Sequence, residues 1–252
     1  MDEAITRFRE RVDNAIRSVL GFCCATRDRQ FQEAAVEQLG GLRVECEELK
    51  AEMIRAERED EANAALSFES LVDAVQSELR MWLALKDGAP QAAWDHLVNA
   101  QGSVRTAMQA HDVGASLEPY AERLVQLEQL LFPPQVFMSI GMIVKRAECS
   151  VCGADYGTCR HVAGRPYCGV MCHKIITDGE AREVSFVESP ANKHCRVMRV
   201  SDNGGWRDIM TWLPVPPDQT QDAIPDAGEV QGTRTEGAPH MEQTGRGGAP
   251  SE

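Results

Sequence analysis

The stretch ECSVCGADYGTCRHVAGRPYCGVMCHK, residues 148–174, gathers five of the chain's nine cysteines together with two histidines. It holds few side chains that could build a hydrophobic core, so its cohesion must come from elsewhere. Cys149 and Cys152 stand as C-x2-C before Gly153, a spacing that brings two sulfurs together while the backbone turns beneath them. Cys159 and His161 add a second pair after six intervening residues. Three thiolates and one imidazole are the donors of a tetrahedral zinc site, and with all four corners supplied by protein the ion is structural. Structural zinc contributes about 10 to 16 kcal/mol in small peptides, enough to decide whether a thin segment folds. The reading is therefore Zn2+ on Cys149, Cys152, Cys159 and His161. Two alternatives stay open: Cys168 or Cys172 in place of His161, or a second site built from Cys168, Cys172, His173 and Cys195. A set of reduced thiols without metal is the plainer reading.

An odd number of cysteines at these spacings argues for metal-binding thiolates and against a disulfide framework. The opening MDEAITRFRERVDNA is charged and amphipathic with no h-region, and no run reaches the roughly 20 apolar residues that cross a bilayer. The expectation is a cytoplasmic protein without a membrane segment.

The net charge of −13 is unevenly spread. Residues 1–137 carry 14 basic against 24 acidic side chains, residues 138–217 carry 10 against 8, and residues 218–252 carry 2 against 7. Phosphate-backbone binding needs clustered Lys and Arg. Only the central segment offers any, in Arg160, Arg165, Lys174, Lys193, Arg196 and Arg199, and its aromatic residues Tyr156, Tyr167 and Phe186 interleave poorly with them. Nucleic acid is the least favoured partner.

Residues 1–132 read as helices. Ile5, Phe8, Val12, Ile16 and Val19 recur at helical steps. A second helix is predicted over 27–39, broken by Gly40-Gly41 before a third through Leu42, Cys46, Leu49 and Met53. Ser67 is expected to cap a helix with the stripe Phe68, Leu71, Val72, Val75, Leu79, Trp82 and Leu83. Gly88 ends it, and Pro90 opens the next, with Trp94, Leu97, Val98, Gln101, Val104 and Met108 inward. A last helix uses Leu117, Tyr120, Leu124, Leu127 and Leu131 before Pro133-Pro134. His96 and His111 read as packing or surface residues, and Cys23, Cys24 and Cys46 as small apolar fillers.

After Pro134 the period changes to alternation. VFMSIGMIV sets Val136, Met138, Ile140, Met142 and Val144 on one side of a half-buried strand, with EVSFV and CRVMRV as further strands and WRDIMTWLPV as a strand or short helix. From Pro214 the composition of Pro, Gly, Gln, Thr and acids predicts disorder. The fold class is α+β: an antiparallel α-helical bundle over 1–132, a zinc-stabilised β module over 136–213, and a disordered acidic tail over 214–252.

Two motifs flanking the cluster, MSIGMIV (138–144) and GEAREVSFVESPAN (179–192), resemble the SxG strand and the EvSlVxxPAN strand of the tailed-phage prohead proteases. These capsid-maturation serine proteases are related in fold to herpesvirus assemblins, and some phage proteins of the kind carry a zinc-knuckle insert between the two strands. The resemblance covers about 60 of 252 residues and implies that Ser185 corresponds to the nucleophile. A serine nucleophile needs a histidine base within about 2.6 to 3.2 Å. The family's base comes from strands upstream of SxG, where this chain reads as helices. The leading expectation is accordingly a non-catalytic, zinc-binding protein-interaction protein of phage or prophage setting, with a protein partner. A prohead-type serine protease using Ser185 is the alternative, and weak nucleic-acid binding the third.

Overall fold

A computed structural model describes residues 3–202 and 204–216. The chain is α+β: five helices come first, followed by small antiparallel sheets. Helix α3 (Glu59–Lys86) packs against α1 (Glu3–Leu20), α2 (Arg29–Arg55) and α4 (Pro90–Ala110). A 3-10 segment, Asp112–Leu117, leads into α5 (Glu118–Leu131). The expected stripes of α1 and α3 lie in the core, with Ile5, Val12, Val19, Val72, Val75 and Leu79 buried, whereas of the stripe expected on the last helix only Leu124 is buried and Leu131 is exposed. Asp28 accepts from the Gln30 backbone N–H at 2.8 Å and caps α2. Gly88 turns the chain between α3 and α4 with φ +66°, a conformation that a side chain would strain.

Two helix boundaries differ from expectation. Gly40-Gly41 does not break the second helix, since α2 runs through both. Each glycine weakens a helix by about 1 kcal/mol, which the burial of Leu39, Leu42 and Cys46 outweighs. Gly40 also has a use: a Cβ there would stand 3.3 Å from Gln76 Nε2, which donates to the Val36 carbonyl at 2.8 Å. Ser67 caps nothing. It lies inside α3, buried, and its hydroxyl donates to the Ala107 carbonyl of α4 at 2.8 Å. His111 accepts from the Val113 N–H and meets Asp60, which closes the end of α4.

The bundle also buries a charged network that its apolar pattern concealed. Glu78 is fully buried, accepting from the Tyr120 hydroxyl at 2.9 Å, from Trp82 Nε1 at 3.4 Å and from Arg123. Burial beside this carboxylate drives the Tyr120 hydroxyl well above its ordinary range.

Strand β1 (Phe137–Cys149) pairs antiparallel with β4 (Lys174–Val187), and the cysteine-rich loop lies between them. Within that loop β2 (Pro166–Tyr167) and β3 (Val170–Met171) form a tight hairpin. β5 (Arg199–Asp202) and β6 (Gly205–Asp208) form a third two-stranded sheet. The expected half-burial of β1 is not found. Ile140, Met142 and Val144 are exposed, as are Ile143, Ile175, Ile176, Val184 and Phe186, so the β1–β4 ribbon shows apolar side chains on both faces. The reason is topological: among the described residues the ribbon pairs with no further strand beyond isolated bridges at its two ends, from Phe137 to Arg196 and from Glu148 to Asp155.

The ribbon is held at its ends. At one end Trp94 of α4 is buried against Phe132 (ring centroids 5.4 Å apart) and Phe137 (6.0 Å), with the Arg196 guanidinium over its face. Its indole N–H donates to the Lys193 carbonyl at 3.1 Å. At the other end Gly169 reaches the α2–α3 corner so closely that a Cβ would meet Lys50 Cγ at 3.0 Å and the Ala62 carbonyl at 3.3 Å.

The expected tail begins inside the described structure, where Val215 N–H donates to the Trp206 carbonyl at 2.8 Å and Pro214 bridges Arg207. The remainder, from residue 217, lies outside the described residues.

Because Trp94 joins helices to strands, Trp94→Ala is expected to destabilise the protein by about 3 to 5 kcal/mol. Thermal unfolding followed by far-ultraviolet circular dichroism should show a large fall in midpoint. An unchanged midpoint would show that the two halves are not coupled there.

Candidate metal centre

The site is built by the ends of two strands and the loop between them. β1 delivers Cys149 at its last residue, and the turn that follows folds back on it: Gly153 N–H donates to the Cys149 carbonyl at 2.8 Å, and Cys149 N–H to the Ala154 carbonyl at 2.9 Å. Gly153 has φ +68°, so the glycine after C-x2-C is required by the turn. Asp155 then shapes the next bend, its carboxylate accepting from Gly157 N–H at 2.9 Å and its carbonyl from Cys159 N–H at 3.1 Å. Two tyrosine hydroxyls hold the loop after Cys159: Val162 N–H donates to Tyr167 and Ala163 N–H to Tyr156, each at 2.9 Å. The His161 ring meets Tyr167 edge-on, centroids 4.6 Å apart.

The donor atoms of Cys149, Cys152, Cys159 and His161 all lie within 4.8 Å of one another. Cys149 Sγ is 3.6 Å from His161 Nδ1. In a tetrahedral zinc site, with bonds of about 2.3 Å to sulfur and 2.0 to 2.1 Å to nitrogen, a sulfur and a nitrogen sit about 3.6 Å apart. The four residues are thus close enough to hold a metal ion and are compatible with zinc. Burial opposes ionisation of Cys149, but the N–H groups of Cys152 and Val151 and the neighbouring thiols of Cys152 and Cys172 overcome it, bringing the thiol down to about 6. A thiolate is the ligand form.

The other cysteines and histidines are distributed by the fold. Cys168 and Gly169 are the two central residues of the β2–β3 hairpin, with φ +45° and +75°, the left-handed pair of a two-residue turn. Cys168 N–H donates to Glu59 and Gly169 N–H to Asn63, so this turn docks on α3. Cys172 is fully buried, its Sγ 3.8 Å from that of Cys149. His173 is exposed at the start of β4. Cys195 lies by Met138, whose N–H donates to its carbonyl, at the end of the ribbon opposite Cys149, eleven residues of β1 away. The proposed second set of Cys168, Cys172, His173 and Cys195 is therefore not brought together.

Ser185 is half-buried in β4, directly opposite Ser139 of β1. Among the described residues no hydrogen bond links it to a histidine: His194 Nδ1 is turned to Asp95 at 3.2 Å, and His161 and His173 are at the far end of the ribbon. Three of the basic residues have partners within the chain. Arg196 is buried against Trp94, Lys193 is paired with Glu128 at 2.5 Å, and Lys174 lies over Tyr156. The loop-holding roles of Tyr156 and Tyr167 had no sequence signal apart from their position within the cysteine-rich stretch.

Comparison with protein-family models, with curated proteins and with solved structures gave no significant match.

Chelation is expected to open residues 150–173 to protease while the helical ellipticity of α1–α5 persists; equal resistance with and without chelator would count against an ion in the cluster. Cys168→Asn places a residue tolerant of positive φ in the turn. It should leave metal content unchanged and be neutral or stabilising by up to about 1 kcal/mol, as read by metal analysis and thermal melting.

Proposed function

We propose that the chain is a non-catalytic, zinc-stabilised protein-interaction protein, in which a structural ion on Cys149, Cys152, Cys159 and His161 fixes the root of the β1–β4 ribbon. The observation that carries this reading is the closed four-donor cluster at the point where both strands begin and end. With every corner taken by protein, such an ion serves folding and leaves no position for substrate. The partner is a protein that lays a β-strand along the outer edge of β4. That edge is unpaired among the described residues, and Val184 and Phe186 beside it are 64% and 74% exposed. An open strand edge with apolar side chains is the usual template for strand addition.

Common ancestry with the tailed-phage prohead proteases, in a phage or prophage setting in the cytoplasm, accords with the direct pairing of the two motif strands, Met138 opposite Phe186 and Ser139 opposite Ser185. All nine cysteines are free, as a reducing compartment keeps them. Among the described residues no helix is long and apolar enough to cross a membrane. The same strand pairing favours, as a second reading, a prohead-type serine protease using Ser185.

Purified protein is expected to hold one zinc per chain, and Ser185→Ala to leave partner binding unchanged. A photo-reactive residue in place of Phe186 should give a discrete cross-linked adduct that Cys149→Ser abolishes. An adduct of twice the chain mass would identify a second copy as the partner. Absence of any adduct would refute the interaction, and labelling of Ser185 by a serine-hydrolase reagent would favour the protease.

A further inference from the structure

We propose that Cys172 is a ligand of the same ion, sharing with His161 the fourth corner of a tetrahedron whose other three corners are Cys149, Cys152 and Cys159. The proposal rests on the reading of the cluster as a metal site and specifies its coordination. Two sulfurs on one tetrahedral zinc, each bonded at about 2.3 Å, are separated by about 3.8 Å. The Cys149 and Cys172 sulfurs lie 3.8 Å apart, as the Cys149 sulfur and the His161 nitrogen lie at the corresponding sulfur–nitrogen spacing. Cys172 thus stands at ligand spacing from Cys149, beside the four-donor set of Cys149, Cys152, Cys159 and His161.

Cys172 is also the better fixed of the two competitors. Its side chain is fully buried, and its backbone is clamped on both sides, donating to the Arg165 carbonyl at 2.9 Å and accepting from Gly164 N–H at 2.8 Å. His161 sits on the partly exposed rim of the loop, against Tyr167. Cys168, the other cysteine of the loop, occupies the hairpin turn docked on α3, and its side chain packs against the helical core. Exchange between the two forms breaks one metal–nitrogen bond, makes one metal–sulfur bond and passes the Cys172 thiol proton to water. The ion with its ligands carries one more negative charge when Cys172 is bound. The imidazole can thus leave without loss of the ion.

The test uses the full chain. Zinc X-ray absorption of the wild type is expected to give more than three sulfurs per ion, falling to three in Cys172→Ser; three sulfurs in both would overturn the proposal. With Co2+ as probe, His161→Ala should retain a tetrahedral visible spectrum with stronger sulfur-to-cobalt charge transfer, while the double variant His161→Ala/Cys172→Ser loses it. If His161→Ala loses Co2+ as completely as the double variant although its helical ellipticity is intact, Cys172 is not a ligand. If the wild type itself binds neither Zn2+ nor Co2+, the metal reading fails, and this proposal with it.

Discussion

A long two-stranded ribbon that touches water on both faces has no core of its own, and a lone pair of strands is marginal at best. The β1–β4 ribbon persists because its two ends are held. At one end Trp94 is enclosed by Phe132, Phe137 and Arg196, so an aromatic residue on a helix reaches the first residue of β1. At the other end the last residue of β1 is a donor in the sulfur–imidazole cluster, and the adjoining hairpin tip is pressed on the α2–α3 corner through Gly169. Ordering the middle of the ribbon then depends on these two anchors and on its own ladder.

The anchors are of different physical kinds. The Trp94 end relies on apolar burial and ring contacts, which need bulk. The cluster end has little bulk to offer, and convergent donors take its place. The bundle supplies the fixed frame for both. It can do so because its buried polar groups are satisfied: Glu78 is held by Tyr120, Arg123 and Trp82, and Ser67 by the Ala107 carbonyl. Left unpaired, each would cost about 1 to 3 kcal/mol or more.

The helical stripes and the first donor set were legible because both are local. Residues three and four apart share a face whatever surrounds them, and C-x2-C followed by glycine turns on itself. The reading failed where a residue's meaning depends on a distant partner. Gly40-Gly41 looked like a break, yet α3 packs there and holds α2 through it. Ser67 had the chemistry of a cap, and only the passage of α4 beside it makes it an interhelical donor. The alternation in β1 is real, but alternation states only that two faces differ.

The sequence by itself determined the order of helices before strands, the sparse apolar content of residues 148–174, and the donors that could compensate for it. Tertiary structure alone decided that Cys172 faces Cys149 while Cys168 packs against the helical core, that Cys195 belongs to the opposite end of the ribbon, and that Ser185 lies opposite Ser139 with, among the described residues, no hydrogen bond to a histidine. Spacing along a chain fixes which side chains can meet within a turn or two. Whether sulfurs 23 residues apart meet is set by how the β1–β4 pairing and the hairpin between its strands bring the chain back.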